Sequence, residues 1–597
     1  GVVEGKATPK ATYNLFFRPK PEIRKQLSEL KAGDKDGLNK ILDKITTEDY
    51  ETFFTGKSTA DFNNKNVQRE LMGDFDNVIF KFDIDELKYG GRIPHQLSIS
   101  REVSFTFIKA LRDVVSDFQD NRKNPLLTLL KNKSEDIKEE DFKPISTKVD
   151  DLNKSIEELD DIQMITNNIS ETIKEAVGTT YSPSSLSIKS NLPSEAEKLL
   201  QSLKLFIGEP GEDYEGGIHE LSLGGANLIF LTLKLLEYKY RKEKDKIANF
   251  LLIEEPEAHI HTHIQKALFD KLNYTDTQII YSTHSTHISE VSNISNMNIL
   301  GKFRNYSEVY QPFIGLKEEE IVKTQRFLDA IRSNLLFAKS VILVEGDAEE
   351  ILIPIMVKQT LGVSLDELGI SIINIRSTGF ENLAQLFHNQ RIKKKCAIIT
   401  DLDTSITGQK TAASKRGKTR KEKLDALKKR NKWIGVFYAP YTFEIDFLKA
   451  NNKDEVLSTI KDVYVDKTAI QKSEKDINSK DSGLDIKKYG KRILTMANYI
   501  GKGWYAILLS NYITPTTCIP NYILDAILFV KPEYSEELLL QIFSYVVSRY
   551  EQSDKIKSLN KNILKCKKGE LPLTDLIKEL YEKLEKEEPI LYILNRL

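Results

Sequence analysis

Residues 340–346 read Ser-Val-Ile-Leu-Val-Glu-Gly, and residues 397–403 read Ala-Ile-Ile-Thr-Asp-Leu-Asp. Each is a short apolar run that ends in carboxylates. The uniform apolarity predicts strands buried on both faces, as in a parallel sheet. Helical patterns at Glu349–Thr360 and Glu381–Gln390 lie between them, and further strands are expected at Ile370–Ile375 and Val436–Ala439. Strand and helix in alternation predict a parallel α/β sheet with crossover helices.

Parallel strands would bring Glu345, Asp401 and Asp403 to one sheet edge, with Glu349 on the first turn of the helix after Glu345. So many carboxylates at one place repel strongly unless divalent cations neutralise them. Hard oxygen donors select Mg²⁺ or Mn²⁺ over zinc. Two such ions about 4 Å apart can activate water on one side of a phosphodiester and stabilise the leaving oxygen on the other. Just beyond, the segment 408–433 is dense in cations, among them Lys415, Arg416, Lys418, Arg420 and Lys421, opposed by Glu422 and Asp425. A basic loop there would hold a phosphate backbone without reading its sequence.

The first half carries a second set of motifs. Residues 250–257, Phe-Leu-Leu-Ile-Glu-Glu-Pro-Glu, form an apolar strand that delivers Glu254 and Glu255 to its C-terminal end, where open α/β sheets bind ligands. Glu254 could hold Mg²⁺ through water, and Glu255 could polarise an attacking water. A second strand, Gln278–Tyr281, leads into Ser282-Thr283-His284, whose imidazole could contact a γ-phosphate. Upstream, Ser222, Gly224 and Gly225 open a helix over Leu228–Tyr238, and free backbone N–H groups at a helix start bind anions. A phosphate loop is not found. Gly1–Ala7 has a Gly-Lys but is one residue short and carries Ala7 in place of a metal-binding hydroxyl, so the expectation is that the natural chain begins upstream, the alternative being a degenerate nucleotide site. His259, His261 and His263 are read as part of the segment that follows the Glu254-Glu255 strand rather than as a zinc site.

Elsewhere the patterns are plainer. Strands are expected at Thr12–Phe17, Val78–Ile84 and His95–Ser100, and helices near Ile23–Leu30, Leu38–Ile45 and Phe105–Gln119. Apolar residues at steps of three and four from Val149 to Val177 predict one amphipathic helix, packed on its own domain or projecting as a dimerisation arm. Thr324–Phe337 reads as another helix, and the last hundred or so residues as helices with polar turns.

The 597 residues exceed a single core and suggest two to four domains. With 40% hydrophobic and 29% charged residues the chain is globular rather than disordered or fibrous. The formal charge of −1 excludes a whole-molecule attraction to nucleic acid and leaves only a local basic face. No apolar run is long enough to span a membrane, and Cys396, Cys518 and Cys566 form neither a disulfide framework nor a zinc spacing. A cytoplasmic location is expected.

Taken in order, Ser222–Gly225, Glu254-Glu255 and His284 resemble the signature, Walker B and switch-histidine motifs of ABC-type ATPases. The Glu345 and Asp401/Asp403 pattern resembles the TOPRIM domain of topoisomerases, primases and some nucleases. An ABC-type half followed by TOPRIM is similar to the overcoming-lysogenization-defect (OLD) family of nucleases, which includes the A subunit of the Gabija system and retron-associated effectors. Two further segments fit the resemblance. Tyr441–Asp446 is similar to a Leu-Glu-x-Asp element, which assigns Glu444 and Asp446 to a second metal. Gly501–Ala506 resembles a Lys-Gly-x-x-Ala segment, which assigns Lys502 to charge at the scissile phosphate.

The resemblance implies an ABC-type ATPase domain over 1–320 with a helical arm at about 120–210, a TOPRIM domain over 335–510 with the basic insertion, and a helical region over 511–597. It implies a DNA endonuclease or nickase using Mg²⁺ or Mn²⁺, gated by ATP, in anti-phage defence. The expected partners are DNA, further copies of the chain across bound nucleotide, and a helicase or a reverse transcriptase with its DNA–RNA hybrid. The leading alternative is an ABC-type DNA clamp, or a structural subunit of a defence complex, whose TOPRIM domain binds without cutting. A topoisomerase or primase would lack the ABC-type half.

Overall fold

The computed structural model describes residues 2–3, 6–7, 13–56, 58, 60–62, 64–93, 103–110, 114–119, 124–134, 139–177, 188–190, 203, 205–208, 215–242, 246, 248–303, 306–329, 331–376, 379–408, 411–478, 486–551, 553–586 and 588–597. The chain divides into two compact units, Gly1–Ala258 with Asn273–Ser282, and His259–Leu272 with Thr283–Leu597.

In the first unit, β1 (Tyr13–Pro19), β2 (Tyr50–Gly56) and β3 (Gly91–Arg92) form an antiparallel sheet. A second sheet is parallel. In it β4 (Val103–Ile108) and β6 (Thr277–Ser282) flank β5 (Ala248–Glu254). The register pairs Glu254 with Ser282 and Ile253 with Ile108, so Glu254 ends the central strand. The helix α1 (Leu223–Arg241) belongs to the same unit.

The second unit is built on four parallel strands in the order β8, β7, β9, β10: β7 (Ser340–Val344), β8 (Ile370–Asn374), β9 (Cys396–Asp401) and β10 (Ile434–Ala439). All five residues of β7 and all six of β9 are buried. Alternation sends Ile342, Val344, Ala397 and Ile399 to one face and Val341, Leu343, Cys396 and Ile398 to the other. The first face packs on α2 (Asp347–Leu361), on α5 (Lys502–Ser510) and on α6 (Asn521–Val530), in a core that continues to Ile593. The other is covered in part by Leu424 of α3 (Ala412–Arg430). The short helix α4 (Phe443–Lys449) follows β10.

Several expectations change. Phe105–Gln119 is not one helix: Val103–Ile108 pairs in parallel with β5, as the strand propensity of Val, Phe, Thr and Ile allows once a partner strand is present, and the helix described there is Val114–Gln119. Val78–Ile84 is not a strand. It enters a turn bridged between Asp74 and Ile79, with Val78 at φ +54° and Asp74 accepting from the amides of Asp76 and Asn77. The stripe from Val149 to Val177 belongs to two helices, Glu139–Glu157 and Asp160–Val177, the second opening on Asp160 and Asp161, which suit a positive helix start. Thr324–Phe337 likewise splits into Glu318–Phe327 and Asn334–Phe337, where Asp329 caps a turn by accepting from Arg332 N at 2.8 Å. Glu381–Gln390 is helical only over Glu381–Ala384, the chain then turning into the bridge between Phe387 and Ile392. The basic segment is a nineteen-residue helix rather than a loop, since Lys and Arg favour helix and Thr411 caps its start with Ser414. The expected strand at His95–Ser100 lies outside the described residues.

Candidate active site

The strand order places β7 and β9 side by side, with the chain leaving β7 for β8 on one side and returning to β9 on the other. This is a topological switch point, where crossover helices depart in opposite directions and leave a crevice at the strand ends. Glu345 follows β7 there, and Asp401 ends β9.

Two backbone hydrogen bonds fix the loop Asp401-Leu402-Asp403. Leu402 N donates to Ala439 O at 2.9 Å, and Asp403 N donates to Tyr441 O at 3.0 Å. Asp403 sits at φ +52°, a left-handed conformation that a non-glycine residue holds only where its surroundings enforce it. Across the crevice, Thr400 Oγ1 donates to Glu345 Oε2 at 2.8 Å. The guanidinium of Arg420 reaches Glu345 Oε1 at 3.4 Å and Asp403 Oδ2 at 3.2 Å, and also donates to the Asp401 carbonyl.

Glu349, on the first turn of α2, is buried, as are Asp401 and Glu444. Burial first, and then the charges of Glu444 and Glu345, push Glu349 up to about 7, against the pull of Lys502. Asp401 is raised well above the usual carboxylate range by burial and by Glu349, Glu444 and Glu345. These four carboxylates therefore sense one another's charge. Lys502 Nζ lies 3.1 Å from Glu444 Oε1, and although burial lowers its pKa, the charges of Glu444, Asp401 and Glu349 outweigh that and raise it.

Asp446 is arranged differently. Its Oδ2 accepts from Tyr441 N at 2.8 Å, which closes the turn into α4, and its rise to about 6 comes from burial rather than from the other carboxylates. The structure thus gathers Glu345, Glu349, Asp401, Glu444 and Lys502, joins Asp403 through Arg420, and turns Asp446 back on its own loop.

On α3 the face made by Gly417, Arg420 and Leu424 is turned inward, while Lys415, Arg416, Lys418 and Lys421 are exposed. Of the five expected phosphate contacts, Arg420 is the one that faces the carboxylates. Two features escaped the sequence reading. Tyr522, on α6, is partly buried with a sequestered hydroxyl that has no partner, and its pKa is raised by burial and by Asp401, Glu349, Asp446 and Glu444. Asn374, at the end of β8, donates to Asp347 Oδ1 at 2.7 Å and to Glu350 Oε2 at 2.8 Å, tying the first turn of α2 to the sheet. No motif announces a tyrosine more than a hundred residues after Asp403.

In the first unit, Ser222 caps α1 by accepting from Gly225 N at 3.2 Å, and Gly224 lies in the first turn. Asn227 Nδ2 donates to Ala258 O at 3.0 Å, so α1 is pinned to the segment after β5. Glu254 Oε2 accepts from Ala110 N at 3.2 Å, and Glu255 N donates to Ser282 O at 3.0 Å, with Glu255 at φ +42°. His284 belongs to the second unit, just before the helix Thr286–Val291.

Residues 10–289 match the family model of an AAA ATPase domain, and residues 336–403 match that of an overcoming lysogenization defect protein-like TOPRIM domain. No curated protein matches the chain. Among solved structures, the C-terminal region of the Burkholderia pseudomallei OLD protein is 25% identical, covering 33% of this chain and 98% of that one at a TM-score of 0.28. The C-terminal region of the Xanthomonas campestris pv. campestris OLD protein is 21% identical, covering 33% and 94% at a TM-score of 0.26. Superpositions at such scores carry no structural conclusion. From the two family matches, this chain is an OLD-like protein, an AAA ATPase domain followed by an OLD-like TOPRIM domain.

Proposed function

We propose that the chain is a metal-dependent DNA endonuclease or nickase whose cutting site is the carboxylate crevice between β7 and β9. The observation that carries this reading is the convergence of Glu345, Glu349, Asp401 and Glu444 with Lys502 at the switch point. The donor set fits Mg²⁺ or Mn²⁺ in kind, being all carboxylate oxygen, largely buried and rich in negative charge. Glu444 Oε1 also accepts no well-directed hydrogen bond although it is buried. Among the described residues no three His, Cys, Asp or Glu side chains are grouped tightly enough to hold an ion as they stand. Loading would therefore require side-chain movement, and binding without cutting is the second reading that the assay must exclude.

Bound ions would supply Lewis acidity to the phosphodiester and a lowered pKa to water. The chain's own groups do the rest. Glu345, Glu349, Asp401 and Asp403 would hold one ion, and Glu444 would hold the second with less help from Asp446. Lys502 would neutralise charge on the phosphate as it develops. The exposed cations Lys415, Arg416, Lys418 and Lys421 would track the backbone of DNA without selecting sequence. In the ATPase domain, Ser222, Gly224, Gly225, Glu254 and Glu255 are proposed for ATP, which would gate cleavage. Assembly through nucleotide-bridged copies and a role in anti-phage defence belong to the same proposal.

The test is incubation of supercoiled plasmid with Mg²⁺ or Mn²⁺, with and without ATP. Nicked or linear product is expected, lost in Asp401→Asn and Asp403→Ala. Undiminished nicking by Asp403→Ala would refute the assignment.

A further inference from the structure

Arg420 stands on α3 among cations that face solvent, yet its guanidinium spans both strand ends of the crevice. Nη1 lies 3.4 Å from Glu345 Oε1, Nη2 lies 3.2 Å from Asp403 Oδ2, and Nη2 also donates to the Asp401 carbonyl. The helix that carries it is held close. A Cβ at Gly417, one turn earlier, would come within 2.1 Å of the Leu402 carbonyl oxygen, so helix and metal loop meet backbone to backbone. The fit of Arg420 is incomplete. Its side chain is 11% exposed, and its Nε is buried without a partner, which is unfavourable for a charged donor.

Glu345 and Asp403 are also carboxylates that the proposed function gives to a divalent ion. Two cations that close together on the same oxygens repel. We propose that Arg420 is a built-in competitor for the metal: its guanidinium grips Glu345 and Asp403, must release them when a divalent ion loads, and thereby frees the basic helix α3 from the sheet edge. By linkage, whatever pulls α3 outward, such as phosphates on its exposed face, strengthens metal binding by the same factor. The inference rests on the metal-dependent reading above.

It is tested by titrating Mn²⁺ into the full chain and into its Arg420→Gln and Arg420→Lys variants by calorimetry, with hydrogen exchange followed over residues 412–430. Arg420→Gln is expected to bind Mn²⁺ about tenfold more tightly, because a competing charge is gone. Arg420→Lys, a point charge without the fork, is expected to fall between. In the unaltered chain, Mn²⁺ is expected to speed exchange in α3. Unchanged or weaker Mn²⁺ binding by Arg420→Gln would overturn the inference. If that variant does not fold, exchange in the unaltered chain decides, and α3 amides that slow or stay constant with Mn²⁺ overturn it. A chain that binds no Mn²⁺ at all would instead sink the metal-dependent reading, a result distinguishable from unaltered binding across the variants.

Discussion

Replacing Glu349 by Gln should stabilise this protein at alkaline pH and leave it unchanged in acid. The folded-state pKa of Glu349 is raised from the ordinary 4.5 to about 7 by burial and by the neighbouring carboxylates. Between those values the folded chain binds more protons than the unfolded chain, so stability falls as pH rises. The contribution is fully present below the ordinary carboxylate value and is lost as pH climbs through about 7. At about 1.4 kcal/mol per unit, the shift corresponds to roughly 3 kcal/mol of instability above pH 8. Glutamine has the shape of the protonated acid and carries no charge, so it should recover part of this. It should not recover all, because Asp401 is shifted in the same direction and keeps its own penalty. Melting followed by scanning fluorimetry in EDTA at pH 5 and pH 8.5 would read the effect. An upward shift of several degrees in the C-terminal unit's transition is expected at pH 8.5, with none at pH 5. Added Mn²⁺ should stabilise the unaltered chain more than the variant, since the ion relieves the same repulsion. Equal or lower stability of Glu349→Gln at pH 8.5 would show that Glu349 does not bear the strain assigned to it.

Gly417→Ala should destabilise the C-terminal unit by about 1–3 kcal/mol, as overpacking against backbone does, and denaturant unfolding would detect it. Asp446→Asn should keep most of the cleavage that Asp401→Asn loses, because an amide oxygen can still accept from Tyr441 N; equal losses in the nicking assay would return Asp446 to the metal. Changing Lys415, Arg416, Lys418 and Lys421 together to Gln should reduce the slope of log K against log salt for DNA binding by about 3–4, read by fluorescence anisotropy across a salt series.

The sheet of the C-terminal unit was legible because both-face burial writes itself as unbroken apolar runs, and the four strands fall at Val341–Val344, Ile370–Ile375, Ala397–Thr400 and Val436–Ala439 to within two residues. Elements shaped by distant partners were not. Val103–Ile108 is a strand because Ala248–Ile253 lies beside it, a pairing 145 positions away that no local window contains. The helix Ala412–Arg430 does not show in the sequence because a run of cations has no apolar stripe strong enough to reveal its period, with Leu424 and Leu427 the main apolar anchors. The carboxylates could be named from spacing, but the direction of a side chain could not. Arg420 is indistinguishable in sequence from Lys418 and Lys421, and only the helical turn from Gly417 aims it inward.

The helix α6 begins beyond the last of the acidic motifs, yet it lies across β9 and β10, where Phe529 rests on Gly435 at a distance that leaves no room for a side chain. From the same helix Tyr522 comes near enough to the carboxylates for their charge to raise its pKa. Severing the chain after residue 510 would therefore not liberate a working nuclease module. It would uncover the greasy underside of the strands that aim the acids, and the excised fragment should aggregate instead of cutting.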